Sequence, residues 1–454
     1  MRKMWCFLSL IMATLMSMSC EKKENKEISV NPFDVVPESS NTQREKIVVI
    51  SDLHLGNDLS YSENVKHLNR LVNFLNEVRS SNTVKELVLG GDIFDEWYIP
   101  TRMDTYNNGT QADFIMKTVN ANKAVFEVLN GIIKDKKVKV TYVPGNHDMG
   151  FLPKDIDLAL PGVNQARDPG DKYPLGTYYP DNYPQIAIEH GHRYDFFSAM
   201  APDANEVEAP GSFLPPGYFF ARIAANSFTD PTTPEAATKV PDVKLNDGAN
   251  PEQVNKNIYY QLWKKVMENV IYVKDNFSEP MIQTNVGKFT KVYSIDDILP
   301  HNIADGSIHM NLYNNLFTQA NWDSREKYNN VTKMTNIEEA INGSLETKFI
   351  DNQSDVQYFK NHDSNVRIVI FGHTHKPVIK TYINHEGQSC IYANSGTWED
   401  QKMRDKNVTI DQDALKMDFI IITPVKSDNK NIQVGLYQYK HGQHTLTGRE
   451  NVNL

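Results

Sequence analysis

The sequence predicts an α/β fold in which parallel strands carry a ligand-binding edge. Short apolar, β-branched runs alternate with longer stretches whose apolar residues recur at helical spacing, which is typical of strand–helix–strand units. Five of the apolar runs stop at a cluster of Asp, Asn or His residues. Because ligands collect at the carboxyl ends of the strands in open α/β sheets, these clusters predict a single site at one edge.

The first part of the chain contains this regular alternation. The strands predicted there are residues 46–51, 86–90 and 137–143. The helices that connect them are predicted at 62–80 and 110–134. We therefore expect residues 45–195 to form the first part of a core.

The segment 196–362 departs from this alternation, because it is rich in Pro, Ala, Asn and Tyr and has its clearest amphipathic helix at 258–276. It follows the fourth cluster and ends before the fifth. We therefore predict an insertion that caps the site and selects the substrate, with an ordinary helical addition to the core as the alternative. Residues 363–445 are predicted to complete the core, with strands 417–424 and 432–440 as an antiparallel pair that closes a second sheet.

The five clusters supply oxygen and nitrogen donors and no thiolate. They are Asp52-Leu-His54, Gly91-Asp92, Gly145-Asn146-His147-Asp148, His190-Gly-His192 and Gly372-His373-Thr-His375. Any one of them alone could be a helix cap or a solvated turn, but five in order predict a metal centre. The candidate ligands are Asp52, His54, Asp92, Asn146, His190, His373 and His375.

These seven ligands fit two metal ions better than one. A tetrahedral zinc site needs three or four ligands, so we expect two ions that share one carboxylate, most naturally Asp92. Mixed imidazole and carboxylate donors favour Mn, Fe, Zn or Co and argue against calcium. Two such ions about 3.5–4 Å apart can activate a nucleophile and clamp an in-line phosphoryl displacement.

The ordered pattern D-x-H, GD, GNHD, H and GHxH resembles that of the calcineurin-like metallophosphoesterases, over about residues 45–195 and 365–425. The resemblance implies a four-layer α/β/β/α sandwich. It also implies a first metal held by Asp52, His54, Asp92 and His375, and a second held by Asp92, Asn146, His190 and His373. His190 is the histidine that the family pattern selects, and His192 is the alternative for a supporting or substrate-binding role.

The same resemblance implies roles for the remaining polar residues of the third cluster. His147 would contact the phosphate and protonate the leaving-group oxygen, and Asp148 would orient its ring. The expected reaction is hydrolysis of a phosphomonoester or phosphodiester, small or lipid-linked, by a metal-bridging hydroxide. The alternatives are a pyrophosphatase resembling the UDP-2,3-diacylglucosamine pyrophosphatase branch and a non-catalytic binding module. His147 stands where that branch has Arg.

The N-terminus predicts export. A basic start, an apolar stretch from Trp5 to Met18 and a charged run after Cys20 are typical of a signal peptide over residues 1–19. A Cys at this position resembles the bacterial lipoprotein signal, so we expect a lipid anchor on Cys20, with plain secretion or an uncleaved anchor as alternatives. Residues 20–44 are predicted to be a polar linker. The formal net charge of −10 argues against a nucleic-acid partner.

Overall fold

The computed structural model describes residues 31–33, 44–170, 175–229, 240–269, 271, 276–344, 346–400, 417–425 and 430–454. These residues fall into two compact units. The sheet unit contains the described residues up to Asp95 together with those of Ile115–Gly191 and Asp351–Leu454, and the insert unit contains those of Glu96–Phe114 and His192–Ile350. The predicted signal peptide and Cys20 lie outside the described residues. Among the residues that are described, no helix is long and apolar enough to cross a membrane.

The strands and helices are numbered in chain order. The strands are β1 Lys46–Ile50, β2 Val84–Gly90, β3 Lys139–Val143, β4 Asn164–Gln165, β5 Thr177–Tyr178, β6 Ile186–Glu189, β7 Ile282–Gln283, β8 Val292–Tyr293, β9 His301–Asn302, β10 Ile308–His309, β11 Ile368–Phe371, β12 Val378–Ile383, β13 Ser389–Asn394, β14 Met417–Pro424, β15 Asn431–Lys440 and β16 Gln443–Asn453. The α-helices are α1 Leu68–Ser80, α2 Gln111–Ala121, α3 Lys123–Asp135, α4 Pro153–Ala159, α5 Pro216–Thr229, α6 Pro251–Asn269, α7 Gln319–Tyr328, α8 Ile337–Gly343 and α9 Thr347–Ser354.

Two sheets form the centre of the sheet unit. The first has the order β16-β15-β14-β1-β2-β3-β4, and the second has the order β12-β13-β11-β6-β5. Strands β1, β2 and β3 are parallel, as are β6, β11 and β13. Apolar side chains of both sheets meet in one core, for example Ile47 and Val88 with Ile188 and Ile370. Parallel strands buried in this way end at a common edge, and every metal-ligand candidate follows such an end.

Helices cover the outer faces of both sheets. The α1 residue Phe74 packs against Phe419 of β14 and Tyr439 of β15. On the second sheet, the hydroxyl of Tyr392 in β13 donates to the carboxylate of Asp351 in α9 at 2.6 Å. The predicted α/β sandwich with an additional helical region is therefore confirmed.

Three details of the fold differ from the prediction. Strands β14 and β15 are antiparallel as expected, but β14 pairs with β1 and so extends the first sheet instead of closing the second. A third strand, β16, follows them at the sheet edge, where half-exposed polar residues give it no apolar run to recognise. The predicted helix 110–134 is two helices, which meet at Asn122. Its side-chain amide donates to the carbonyl oxygens of Gly56 and Thr118, both at 2.9 Å.

Part of the predicted linker packs against the sheet unit. Phe33 is 1% exposed, and its ring contacts those of Phe74, Phe419 and His444. Its carbonyl oxygen accepts hydrogen bonds from Ser81 at 2.9 Å and from Thr83 at 2.6 Å. This aromatic residue therefore fixes residues 31–33 to the fold.

The insert unit takes in a segment that the sequence assigned to the core, Glu96–Phe114. Arg222 of α5 is fully buried and donates to three backbone carbonyl oxygens of that segment, those of Ile99 at 2.6 Å, Pro100 at 3.1 Å and Met103 at 2.5 Å. Because a buried guanidinium must be satisfied, these bonds hold the segment within this unit. The predicted helix at 258–276 is α6, which begins earlier, at Pro251.

Candidate metal centre

The candidate ligands lie just beyond the ends of parallel strands. Asp52 and His54 follow β1, Asp92 follows β2, Asn146 follows β3, His190 follows β6, and His373 and His375 follow β11. All of these residues belong to the sheet unit. The loops are joined by backbone bonds, since the amide of Asp52 donates to the carbonyl of Gly91 and the amide of His54 to that of Asp92, both at 3.0 Å.

Five of the seven candidate ligands have a left-handed backbone. Their φ angles are 54° for Asp52, 45° for His54, 51° for Asp92, 66° for His373 and 56° for His375. Such angles are uncommon for residues other than glycine. They persist where contacts with the surrounding structure maintain them, and they are found mainly at functional sites. The backbone therefore turns these side chains out of the strands and toward one point.

Glycines at the strand ends allow the loops to approach the ligands closely. A Cβ at Gly91, whose φ is +96°, would clash with the ring of His190, and a Cβ at Gly145 would clash with Asp92. Gly91 is therefore required by its backbone angle and by contact with the site, and Gly145 by contact with the site.

The first group of ligands consists of Asp52, His54 and His375, whose donor atoms all lie within 4.8 Å of one another. The Nε2 atoms of His54 and His375 are 3.3 Å apart, and Nε2 of His375 is 3.1 Å from Oδ1 of Asp52. Asp52 and His54 are fully buried. The arrangement brings together three residues that the sequence assigned to the first metal.

The second group consists of Asp92, His190 and His373, also within 4.8 Å of one another. Nε2 of His190 is 2.9 Å from Oδ2 of Asp92, and the rings of His190 and His373 are 5.3 Å apart. Asn146 is 3% exposed, and its Oδ1 has no hydrogen-bond partner among the described residues. A buried amide oxygen without a partner is costly, so its position is well explained by a cation.

Asp92 lies between the two groups. Its Oδ2 is 3.8 Å from Nε2 of His54 and 2.9 Å from Nε2 of His190, while its Oδ1 accepts the backbone N–H of His147 at 2.8 Å. One carboxylate oxygen thus faces a histidine of each group. This is the position that a bridging ligand requires.

The donor set fits two transition-metal ions. Nitrogen and oxygen ligands lie about 2.0–2.2 Å from a zinc-like ion, so neighbouring donors stand about 3–3.5 Å apart. The separations of 3.3 Å, 3.1 Å and 2.9 Å in the two groups match this spacing. Imidazole, carboxylate and amide oxygen are suitable donors for Mn, Fe, Zn or Co.

Three buried carboxylates that the sequence analysis missed support the histidines. Glu63 Oε2 lies 3.2 Å and Asp95 Oδ2 lies 3.5 Å from Nδ1 of His54, and Glu399 Oε1 lies 2.9 Å from Nδ1 of His375. Asp95 stands three residues after Asp92, and this short spacing is the sequence feature that could have identified it as part of the site. Glu63 and Glu399 lie in loops without a recognisable pattern.

The predicted role of Asp148 is corrected. Nδ1 of His147 lies 2.7 Å from Oδ1 of Asp95, so Asp95 is the carboxylate that orients this ring. Asp148 instead accepts the backbone N–H groups of Gly145 at 2.6 Å and Ile93 at 2.9 Å. It therefore ties the third cluster to the loop after β2. Burial and the charge of Asp92 raise the pKa of Asp148 to about 6.

Opposite charges within the two groups keep Asp92 ionised and raise the pKa values of His190 and His375. Burial raises the pKa of Asp92, but the charges of His190 and His147 outweigh it and hold that pKa well below the usual range. Burial lowers the pKa of His190, yet Asp92 and Asp52 raise it to about 9. For His375, burial is outweighed by Glu399 and Asp52, which raise the pKa to about 10. The metal-free site is thus a compact set of opposite charges, which a cation can enter by displacing protons.

His192, the alternative to His190, belongs to the insert unit and begins a 3-10 helix, His192–Tyr194. The sheet unit supplies His190 directly to the second group. The geometry therefore favours His190 as the ligand, as the family pattern does.

Fold and site together define a dinuclear metallophosphoesterase. Residues 45–245 match the family model described as calcineurin-like phosphoesterase. The match includes the first four clusters. Enzymes of this kind use two divalent metal ions, and the two groups described above supply residues that could hold them.

The structure is similar to the crystal structure of a dimetal phosphatase from Danio rerio, with 10% sequence identity, a TM-score of 0.32, and coverage of 90% of this chain and 99% of that chain. No curated protein matches the chain in sequence.

Proposed function

We propose that the enzyme hydrolyses a phosphomonoester or phosphodiester by direct in-line attack of water on phosphorus. The observation that carries the proposal is the position of Asp92, whose Oδ2 faces His54 at 3.8 Å and His190 at 2.9 Å. When bound, two divalent ions lower the pKa of water and clamp the attacking and leaving oxygens of such a displacement. No covalent intermediate on the protein is required.

The ligand residues act by holding charge in fixed positions. Asp52, Asp92, His54 and His190 are buried. Backbone bonds also hold the groups in place, such as that from the amide of His373 to Oδ1 of Asp52 at 3.1 Å. A site that is preorganised in this way does not reorient during the reaction. We assign Asp52, His54, Asp92 and His375 to the first ion, and Asp92, Asn146, His190 and His373 to the second.

His147 is the proposed general acid. Its ring lies 4.6 Å from that of His54, beside the first group, and Asp95 holds its Nδ1. With Nδ1 engaged by a carboxylate, Nε2 is the nitrogen from which a proton can pass to the leaving-group oxygen. Asp95 stabilises the imidazolium and orients the ring, so it acts through His147.

A pyrophosphatase is the second candidate. The motifs Gly-Asp-Ile-Phe-Asp95 and Gly-His-Thr-His375 resemble those of the UDP-2,3-diacylglucosamine pyrophosphatase branch. That branch has Arg at the position of His147. This difference and the predicted export signal both favour a different substrate. Assays with Mn²⁺ on p-nitrophenyl phosphate, bis(p-nitrophenyl) phosphate and a nucleoside diphosphate sugar separate the classes. Turnover of the nucleotide sugar alone would replace the monoester or diester proposal with the second candidate.

The insert unit is the proposed selector of the substrate. The chain enters the longer segment of this unit at His192, two residues after the ligand His190, and leaves it at Ile350, before His373. Because no proposed ligand lies within it, its side chains can vary without loss of the metal centre. Replacing 200–345 by a Gly/Ser linker should abolish turnover of the natural substrate and keep that of p-nitrophenyl esters. A folded, metal-loaded variant with an unchanged substrate profile would reject this role.

We also propose that the enzyme is exported and anchored by a lipid on Cys20. The support is the sequence alone, in which a basic start, an apolar stretch and a Cys precede a charged run. Cys20→Ser should move the enzyme from the membrane fraction to the soluble fraction, with its activity per molecule unchanged. Mass spectrometry should find an acylated Cys20 in the wild type, and an unmodified Cys20 in a membrane-bound protein would contradict the anchor.

A further inference from the structure

His54 and His375 of the first group differ from His190 of the second in what lies beside their second ring nitrogen. Nδ1 of His375 meets a carboxylate oxygen of Glu399 at 2.9 Å, and Nδ1 of His54 meets Glu63 at 3.2 Å. Nδ1 of His190, in the second group, donates instead to the backbone carbonyl oxygen of Gly90 at 2.9 Å. The first group is therefore supported by charged acceptors, whereas His190 is supported by a neutral one.

This difference has an electrostatic consequence. The hydrogen bonds of His375 and His190 each fix the tautomer that leaves Nε2 available to a metal. A carboxylate also makes the imidazole a stronger electron-pair donor to the metal. In addition, the negative charge of the carboxylate attracts the cation, and this attraction is large where water is excluded. The side chains of Glu63 and Glu399 are 4% and 6% exposed, so little of this attraction is screened by solvent.

Both glutamates are rigidly placed. The backbone N–H of Trp398 donates to the carbonyl of Asp52 at 3.1 Å, and that of Asp400 donates to the carbonyl of Glu63 at 2.8 Å. The carboxylate of Asp400 in turn accepts the N–H of Val65 at 2.9 Å. The segment that carries Glu399 is therefore fastened to the loop of Asp52 and to the segment of Glu63.

The buried charge of the glutamates also needs compensation. Oε2 of Glu399 is buried and has no hydrogen-bond partner among the described residues. An ionised carboxylate in such surroundings is costly unless a cation lies nearby. Without metal the neighbouring His375 ring supplies that charge at 2.9 Å, and an ion in the first group would take over this role when bound.

We propose that Glu63 and Glu399 are positioning residues that make the group Asp52–His54–His375 the tighter metal site and the first to fill. The inference rests on the ligand assignment under Proposed function. It adds an order of loading, in which the second group, whose His190 is supported through a backbone carbonyl, fills second and exchanges its ion more readily.

The test is a Zn²⁺ titration of the metal-free full chain against a chromophoric chelator, which reports affinity without reference to activity. The wild type should bind two ions in two separate steps. His373→Ala should remove the weaker step and leave a single tight site. In that background, Glu399→Gln or Glu63→Gln should each weaken binding roughly 10–100-fold, as loss of such supporting residues does. In the full two-site chain, the same substitutions should leave the weaker step unchanged.

Glu127→Gln is the matched control, because Glu127 lies in the sheet unit with a side chain that is 64% exposed. It should leave both steps as in the wild type. Circular dichroism of each metal-free variant checks the fold, and either glutamate can decide the question if the other variant unfolds. The proposal would be overturned if the glutamate substitutions weakened both steps equally or weakened neither. It would also be overturned if His373→Ala lost the tight step. A wild type that binds no ion would reject the ligand assignment itself.

Discussion

Oδ1 of Asp95 lies 2.7 Å from Nδ1 of His147, and both side chains are buried beside the first group of ligands. The contact joins a residue three positions beyond the second cluster to a residue of the third. It shows how the imidazole can be held in one orientation without binding a metal. This relationship separates the proton donor from the ligands and makes their roles testable one at a time.

Substitution of His147 should impair catalysis and spare metal binding. His147→Ala should keep both ions and lose about 10²–10⁴-fold in kcat, the usual contribution of a general acid. The loss should be smallest for p-nitrophenyl esters, whose leaving group needs little protonation. Steady-state rates on p-nitrophenyl and alkyl esters, with elemental analysis of the same samples, check both statements. Equal losses for good and poor leaving groups would contradict the acid role.

Substitution of Asp92 should affect both ions together. Asp92→Asn keeps an amide oxygen for the N–H of His147, which Oδ1 now accepts at 2.8 Å, but it removes the charge that faces both groups. We expect occupancy of both sites to fall, whereas His373→Ala should empty only one. Elemental analysis after dialysis against limiting Mn²⁺ measures this. Retention of two ions by Asp92→Asn would exclude a bridging carboxylate.

Metal uptake should release protons at neutral pH. The pKa values of His190, about 9, and of His375, about 10, lie above 7. Both rings are therefore positively charged imidazolium ions in the metal-free protein at neutral pH. Ligating nitrogens must be deprotonated, so each histidine loses its proton when an ion binds. Apparent affinity should therefore rise with pH up to about 9–10, and calorimetry in buffers of different ionisation enthalpy should detect the protons. An affinity that stays constant between pH 7 and pH 9 would contradict these pKa shifts.

Truncation of Phe33 should destabilise the sheet unit. Phe33 is 1% exposed, so Phe33→Ala should lower the free energy of unfolding by about 3–5 kcal/mol, as for other buried Phe residues. Leu158→Ala is the control, because Leu158 is 48% exposed and should change stability by less than about 0.5 kcal/mol. Urea unfolding followed by tryptophan fluorescence compares the two. Similar midpoints for both variants would show that residues 31–33 contribute no anchoring.

The sequence predicted the parts of this structure that depend on local pattern. Runs such as Ile47–Ile50 and Ile368–Phe371 are buried strands because their residues are apolar throughout, and the polar side chain after each strand lies at the sheet edge. The ligand candidates are therefore readable from the order of strands and clusters. Nothing in such a pattern states which sheet a strand will join, and so β14 and β15 were assigned to the wrong one.

Supporting contacts could not be predicted in the same way. Asp148 was assigned to His147 because the two are adjacent in the chain, but its carboxylate is occupied by the N–H groups of Gly145 and Ile93. The partner is Asp95, which is 52 residues away in sequence. Glu63 and Glu399 reach the histidines from loops that only the three-dimensional fold brings to the site. Long-range pairs of this kind leave no local signature.

The most direct test of the dinuclear phosphoesterase is a titration of the metal-free enzyme with Mn²⁺, followed by hydrolysis of p-nitrophenyl phosphate and bis(p-nitrophenyl) phosphate. We predict no turnover without metal and a rate on at least one of these esters that reaches its maximum only when two ions per chain are bound. A maximal rate with one ion bound, or full activity in the metal-free protein, would contradict the two-metal account.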